Sequence, residues 1–141
     1  MNDKADTFAG LLEDLPMISA GSVSAGTQKR LVFGPGRFFD DYVVRYFALP
    51  PWEVVPVHDH DWPHYIITLH GHGEVVIDGE PWDLPEQSWA HVPADVPHSY
   101  TNKTGEAWNF LCIVPWRGDP QGRRTRYRMI REMEKKNKGK E

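Results

Sequence analysis

Cysteine is nearly absent from this 141-residue chain, where Cys112 stands alone. A lone thiol closes no internal disulfide and builds no cysteine-based zinc knuckle, which points to a reducing, cytoplasmic setting. Long apolar runs are missing too. No stretch approaches the roughly 18 apolar residues of a membrane-spanning helix, and the opening Met1-Asn2-Asp3-Lys4-Ala5-Asp6 lacks the basic-then-apolar order of a secretion signal. No Gly-x-Gly-x-x-Gly or Gly-Lys-Ser phosphate-binding fingerprint occurs. Basic charge is scarce over most of the chain: residues 1–122 hold 7 Lys/Arg against 17 Asp/Glu, a net of −10. An acidic body repels phosphates, so neither nucleic acid nor a membrane is expected as a partner.

What the chain does have is large apolar side chains. Forty per cent of it is hydrophobic and 12% aromatic, enough to bury the core of one domain, which is what this length allows. Twelve Gly and twelve Pro imply frequent turns and argue against a helical bundle. Phe8, Leu11, Leu12 and Leu15 fall at helical spacing before Pro16 and predict a short amphipathic helix. With the Gly/Ser/Ala-rich linker from Ser19 to Gly26, they make residues 1–28 a helix-and-linker segment, too short for a helix-turn-helix. Residues 117–141 form a C-terminal tail whose last 19 residues carry 9 Lys/Arg against 3 Asp/Glu. Only Tyr127 adds an aromatic to that basic run, so it reads as a solvated helix.

Between them, residues 29–116 show short strands set off by turn residues: 31–33, 42–49, 53–57, 64–69, 74–77, 82–84, 88–92, 98–101 and 108–114. Asp78-Gly79 is a hairpin signal. Strands recurring every 8–12 residues without intervening helices indicate an antiparallel sandwich or small barrel.

Seven histidines punctuate this region. His58 and His60 are alternate strand residues, so both imidazoles project from one face about 7 Å apart at Cα. That spacing lets two rings converge on one ion. His64 has matching parity, and Pro63 supplies a bend that can carry it around the same centre. His98 opens a later strand, which a barrel brings opposite the first group. His70 and His72 flank Gly71 in a turn and read as solvent-exposed, and His91 reads as structural. An isolated strand histidine is most often a surface or hydrogen-bonded residue, but here two spaced motifs coincide.

The pattern His58-x-His60-x3-His64-x6-Gly71 resembles the first cupin motif. Pro93-x-Asp95-x2-His98-x3-Asn102 resembles the second, and the short segment between them, Glu74 to Val92, is similar to that of single-domain microbial cupins. The resemblance covers residues 42–115. There are two departures. His64 stands where the first motif usually has an acid, and Asp95 where the second has Gly, although Asp tolerates the turn conformations that Gly prefers. The resemblance implies an all-β fold, an antiparallel double-stranded β-helix or jelly-roll barrel with short N- and C-terminal helical segments. It further implies the small-cupin subgroup whose ion is held by four histidines, here His58, His60, His64 and His98. His64 also reads as a hydrogen-bond partner behind the ligands. One divalent ion per subunit is expected, manganese or iron first, with Zn, Ni, Co and Cu also suited to imidazole.

Four neutral imidazoles leave the full 2+ charge on an ion, which makes it a strong Lewis acid. In octahedral geometry two adjacent positions stay open for a small-molecule substrate, or for substrate and dioxygen together. Tetrahedral zinc would instead close the site. The ligand set resembles that of His-only cupin dioxygenases, so an oxygenase acting on a small organic substrate is expected first. A non-redox isomerase, lyase or cyclase is the alternative, and a non-catalytic metal- or ligand-binding barrel the third reading. Tyr100, on the face of His98 and Asn102, and Cys112 are the candidate catalytic residues; Cys112 reads equally as a small buried hydrophobe. Tyr46, Trp108 and Phe110 are candidate pocket walls. A homodimer is expected from the family habit and from Phe8, Leu11, Leu12, Leu31 and Phe33, which one subunit has little means of covering.

Overall fold

The computed structural model describes residues 8–20 and 26–139. Among the described residues ten strands form two antiparallel sheets. The strands are β1 (Met17–Ile18), β2 (Gln28–Phe33), β3 (Tyr42–Leu49), β4 (Val54–His58), β5 (His64–His70), β6 (Gly73–Ile77), β7 (Glu80–Leu84), β8 (Trp89–Val92), β9 (His98–Thr101) and β10 (Trp108–Pro115). One sheet runs β1-β2-β3-β10-β5-β8 and the other β4-β9-β6-β7. This interleaving is the jelly roll that the two histidine motifs imply.

Strict alternation explains the two central strands. Along β3, Val43, Arg45, Phe47 and Leu49 are buried while the residues between them are half-buried; along β10, Trp108, Phe110, Cys112 and Val114 are buried in the same way. The pleat sends these sets into the space between the sheets. There all but Arg45 join Val55, Ile66, Val75, Leu84, Val92 and Tyr100 in one core. Trp108 is its deepest large side chain, fully buried, with its indole N–H donating to Thr68 Oγ1 at 3.1 Å.

The predicted hairpin at Asp78-Gly79 joins β6 to β7, and both turn residues are left-handed, with φ of 51° and 81°. That is the type I′ geometry for which such a dipeptide is suited. Asp95, in the place of the usual glycine, has φ 64° and donates its N–H to His60 O at 2.6 Å.

The ends depart from the sequence-based expectation at the N-terminus and follow it at the C-terminus. From residue 9 to Pro16 the chain makes a single 3-10 turn, Leu12–Asp14, rather than an amphipathic helix. Gly10 weakens a helix there and Pro16 stops it. The backbone finds its partners instead by adding β1 beside β2, with Arg30 donating to the Leu15 carbonyl. Residues 1–7, and 21–25 of the expected linker, lie outside the described residues. After a 3-10 turn at Trp116–Gly118, helix α1 spans Pro120–Lys138. Asp119 caps it by accepting from the Gln121 and Gly122 N–H groups, Pro120 fits its first turn, and Lys135, Lys136 and Lys138 complement its C-terminal dipole.

Candidate metal centre

His58 ends β4 and His98 begins β9, and the two are direct cross-strand partners. His60 follows in the loop after β4. The ligand nitrogens of His58, His60 and His98 all lie within 4.8 Å of one another, a spread that side-chain adjustment alone can close to metal–nitrogen bonds of about 2.1 Å. Backbone carbonyls orient two of the rings: His58 Nδ1 donates to Pro56 O at 2.8 Å and His98 Nδ1 to Val96 O at 2.9 Å. Each Nε2 is then left as the lone-pair nitrogen, and that of His98 is buried without a partner. Such an orphaned acceptor beside two others fits a cation. Burial holds His60 and His98 below the ordinary imidazole value, with the neighbouring imidazoles pushing the same way, so both rings stay neutral and ligand-competent.

The fourth histidine is placed differently. His64 opens β5 in the opposite sheet and does not join the three-nitrogen group. Its ring lies 5.0 Å from that of His98 and 5.5 Å from that of His60, centroid to centroid. Its Nδ1 pairs with Cys112 Sγ at 3.3 Å on the adjacent strand β10. Its Nε2 is buried and unpartnered. Burial above all, then the charge of Arg45, pushes the His64 pKa down to about 2.

Beside these rings opens a cavity of about 400 Å³. His58, His60, His64, Tyr100, Phe110 and Cys112 all line it. Trp62 stands at its edge, stacked face to face on His60 with centroids 4.6 Å apart and planes 2° from parallel. Gly118 makes room for that indole: a Cβ there would sit 2.7 Å from the Trp62 Nε1. The Tyr100 hydroxyl is buried without a partner, and burial raises its pKa well above the ordinary phenol value, so it keeps its proton. Burial likewise raises the Cys112 thiol, outweighing the nearby Arg45.

Two candidate pocket walls lie elsewhere. Tyr46 has the opposite parity to Arg45 and Phe47 and faces out of the barrel, where its hydroxyl accepts from Asn109 Nδ2 at 2.7 Å. Trp108 shares the inner face with Phe110 but is committed to the core beneath it, 4.3 Å from its ring, and does not line the cavity. Of the other histidines, His70 and His72 are exposed beside Glu86 and Asp83, and His91 stacks on Tyr65.

A second set of inner-wall residues escaped the sequence analysis. Lys29 and Arg45 are both buried and line the same cavity. Lys29 Nζ donates to Asp119 Oδ2 at 2.6 Å, and Arg45 Nη1 lies 3.5 Å from the same oxygen. Arg45 also donates from Nη2 to Cys112 Sγ at 3.0 Å. Burial opposes ionisation of Asp119, but Arg45 and Lys29 outweigh it and hold the carboxyl below its usual range. Burial lowers the Lys29 pKa despite Asp119. The parity of Arg45 with Val43, Phe47 and Leu49 was the readable signal: a cation at an inward position of an otherwise apolar face.

The Cupin_2 family model, described as a cupin domain, matches residues 45–114. The polyketide cyclase RemF from Streptomyces resistomycificus superposes with a TM-score of 0.68 at 22% identity, over 75% of this chain and 77% of that one. A cupin-2 domain from Rhodospirillum rubrum gives a TM-score of 0.61 at 20% identity, over 72% and 68%. At these identities the likeness is one of fold. Among curated proteins, the HTH-type transcriptional activator RhaS of Mannheimia succiniciproducens is 36% identical over 52 residues, 37% of this chain and 19% of that protein. The chain thus spans about a fifth of that relative. With a matching family model, a jelly-roll topology and clustered motif histidines, this chain belongs to the cupin superfamily, through a Cupin_2 domain at residues 45–114.

Proposed function

We propose that this cupin is a metal-dependent enzyme acting on a small organic molecule, and that its reaction is an oxygenation. The observation that carries the reading is the convergence of the His58, His60 and His98 nitrogens beside an aromatic-lined cavity. His64, its Nε2 buried and unpartnered, is proposed as the fourth ligand. A divalent ion held by these rings, manganese or iron first, would supply Lewis acidity and one-electron chemistry toward dioxygen. Tyr100 presents a proton to an oxygen of the substrate. Cys112 positions His64 through its Sγ contact and separates that ring from Arg45. Phe47 and Phe110, stacked 5.5 Å apart, give the substrate an apolar wall, and Trp62 covers His60 against water. Elemental analysis of the purified protein tests the site: about one ion per chain is expected, and His58→Ala should lose it. Oxygen uptake with metal-chelating catechols and 1,3-diketones, compared under air and under nitrogen, tests the reaction.

A non-redox reading, as isomerase, lyase or cyclase, is favoured by one observation. A protonated tyrosine and two buried cations surround the cavity, an arrangement that stabilises an enolate without dioxygen. Turnover unchanged by removal of oxygen would establish it in place of the oxygenase. We further propose that the protein is cytoplasmic, in keeping with its lone cysteine, and a homodimer, a pairing supported by the exposed Tyr65, Ile67 and Trp89 on the outer face of the six-stranded sheet.

A further inference from the structure

Charge around the cavity does not balance. Lys29, Arg45 and Arg123 line it, and among the described residues no Asp or Glu does. Lys29 and Arg45 share one counter-ion, Asp119, whose oxygens are already committed. Its Oδ1 accepts from the Gln121 and Gly122 N–H groups at 2.9 and 3.1 Å, and its Oδ2 faces both cations. One buried carboxylate therefore answers two buried cations. The guanidinium of Arg45 is also poorly used. Its three contacts are a sulfur at 3.0 Å, a carbonyl at 3.4 Å and the edge of Asp119 at 3.5 Å. A thiol is a weak acceptor, and none of these is the short, charge-assisted bond that a guanidinium makes to a carboxylate. A buried positive charge left so incompletely matched is costly unless something else completes it.

We propose that Arg45 and Lys29 form a carboxylate subsite on the cavity wall, so that the substrate is a small organic acid held with its carboxylate on Arg45 and its reacting end toward the histidine cluster. The cavity places these ends within one small molecule of each other: Cys112 Sγ lies 3.0 Å from the Arg45 fork on one side and 3.3 Å from His64 on the other. Of the two buried cations one is left without a counter-ion, a charge that one carboxylate matches, and the planar fork of Arg45 matches its two oxygens. Phe47 carries Arg45 over its ring at 5.1 Å and stacks with Phe110, giving the body of an acid an apolar surface. Lys29, in register with Phe47 across β2 and β3, supplies the second charge.

The proposal names the substrate class for the function proposed above and rests on that reading for the direction of the reacting end. The carboxylate contact itself needs no metal. Calorimetric titrations with acetate, oxalate and benzoate, each against its neutral amide, are therefore made on chelator-treated and on manganese-loaded protein, with manganese content measured separately. At least one acid should bind about tenfold or more tightly than its amide in both preparations. Arg45→Gln and Lys29→Gln should each remove that preference, and Arg45→Lys should restore part of it. Each variant is checked by thermal melting, and if one does not fold, the acid-against-amide comparison on the unaltered protein decides. No acid preferred over its amide, or a preference that survives Arg45→Gln, overturns the subsite and assigns the two cations to anchoring α1. Protein that takes up no manganese yet still prefers the acid would sink the metal reading and leave the subsite standing.

Discussion

At the scale of single residues, the candidate site depends on which nitrogens and oxygens lack partners. His98→Ala removes a buried ring whose Nε2 has no protein acceptor or donor, so bound metal should fall below detection in elemental analysis while a folded barrel persists. Asp119→Asn is expected to cost about 3 kcal/mol in urea denaturation, because it strips two buried cations of their counter-ion and weakens a helix cap. The sign of its pH dependence follows from the site. The folded protein holds this carboxyl below its usual value, so the unfolded chain takes up the proton first. Stability is then lost as pH falls below about 4, and a urea series from pH 6 to pH 3 should show a shallower decline in Asp119→Asn. The histidines of the cluster were legible because their spacing is set by the strand pleat and the motif turns. Lys29 and Asp119 were not: a lone Lys and a lone Asp carry no periodic signal, and only the pairing of β2 with β3 and the start of α1 bring them together.

At the scale of elements, alternation and turn chemistry carried most of the fold. Strands β3 and β9 fall where the sequence places them, since each is closed by turn residues and, Arg45 apart, keeps its inward positions apolar or histidine. The boundaries of β4 and β7 shift by a residue or two, where exposed residues such as Val54 and Trp82 give the pattern no contrast. Within the leucine-spaced N-terminal segment, the chain from residue 9 onward makes only a 3-10 turn and then adds β1 to a sheet edge, which the spacing of its leucines does not announce. Tyr46 misled for another reason: aromatic content does not say which face of β3 a side chain occupies, and the parity of its neighbours does. In the β6–β7 turn, Gly79→Ala should cost about 1 kcal/mol, read as a lower thermal midpoint, because φ of 81° is open to glycine and strained for alanine.

At the scale of the whole molecule, the exposed Trp89, Tyr65 and Ile67 predict association through the outer sheet face. Light scattering should give twice the chain mass of 16.2 kDa, and Trp89→Lys should return the monomer. No helix among the described residues is long and apolar enough to cross a membrane. Asp119 has a wider consequence. One of its oxygens caps α1 and the other faces the two buried cations of the cavity wall, so the two regions are energetically linked. An acid that draws Arg45 and Lys29 toward itself must change the protection of the Gln121 and Gly122 amides, and by reciprocity a frayed α1 must change how tightly the acid is held. Deuterium uptake at the first turn of α1 would thus register, from outside the barrel, what is bound within it.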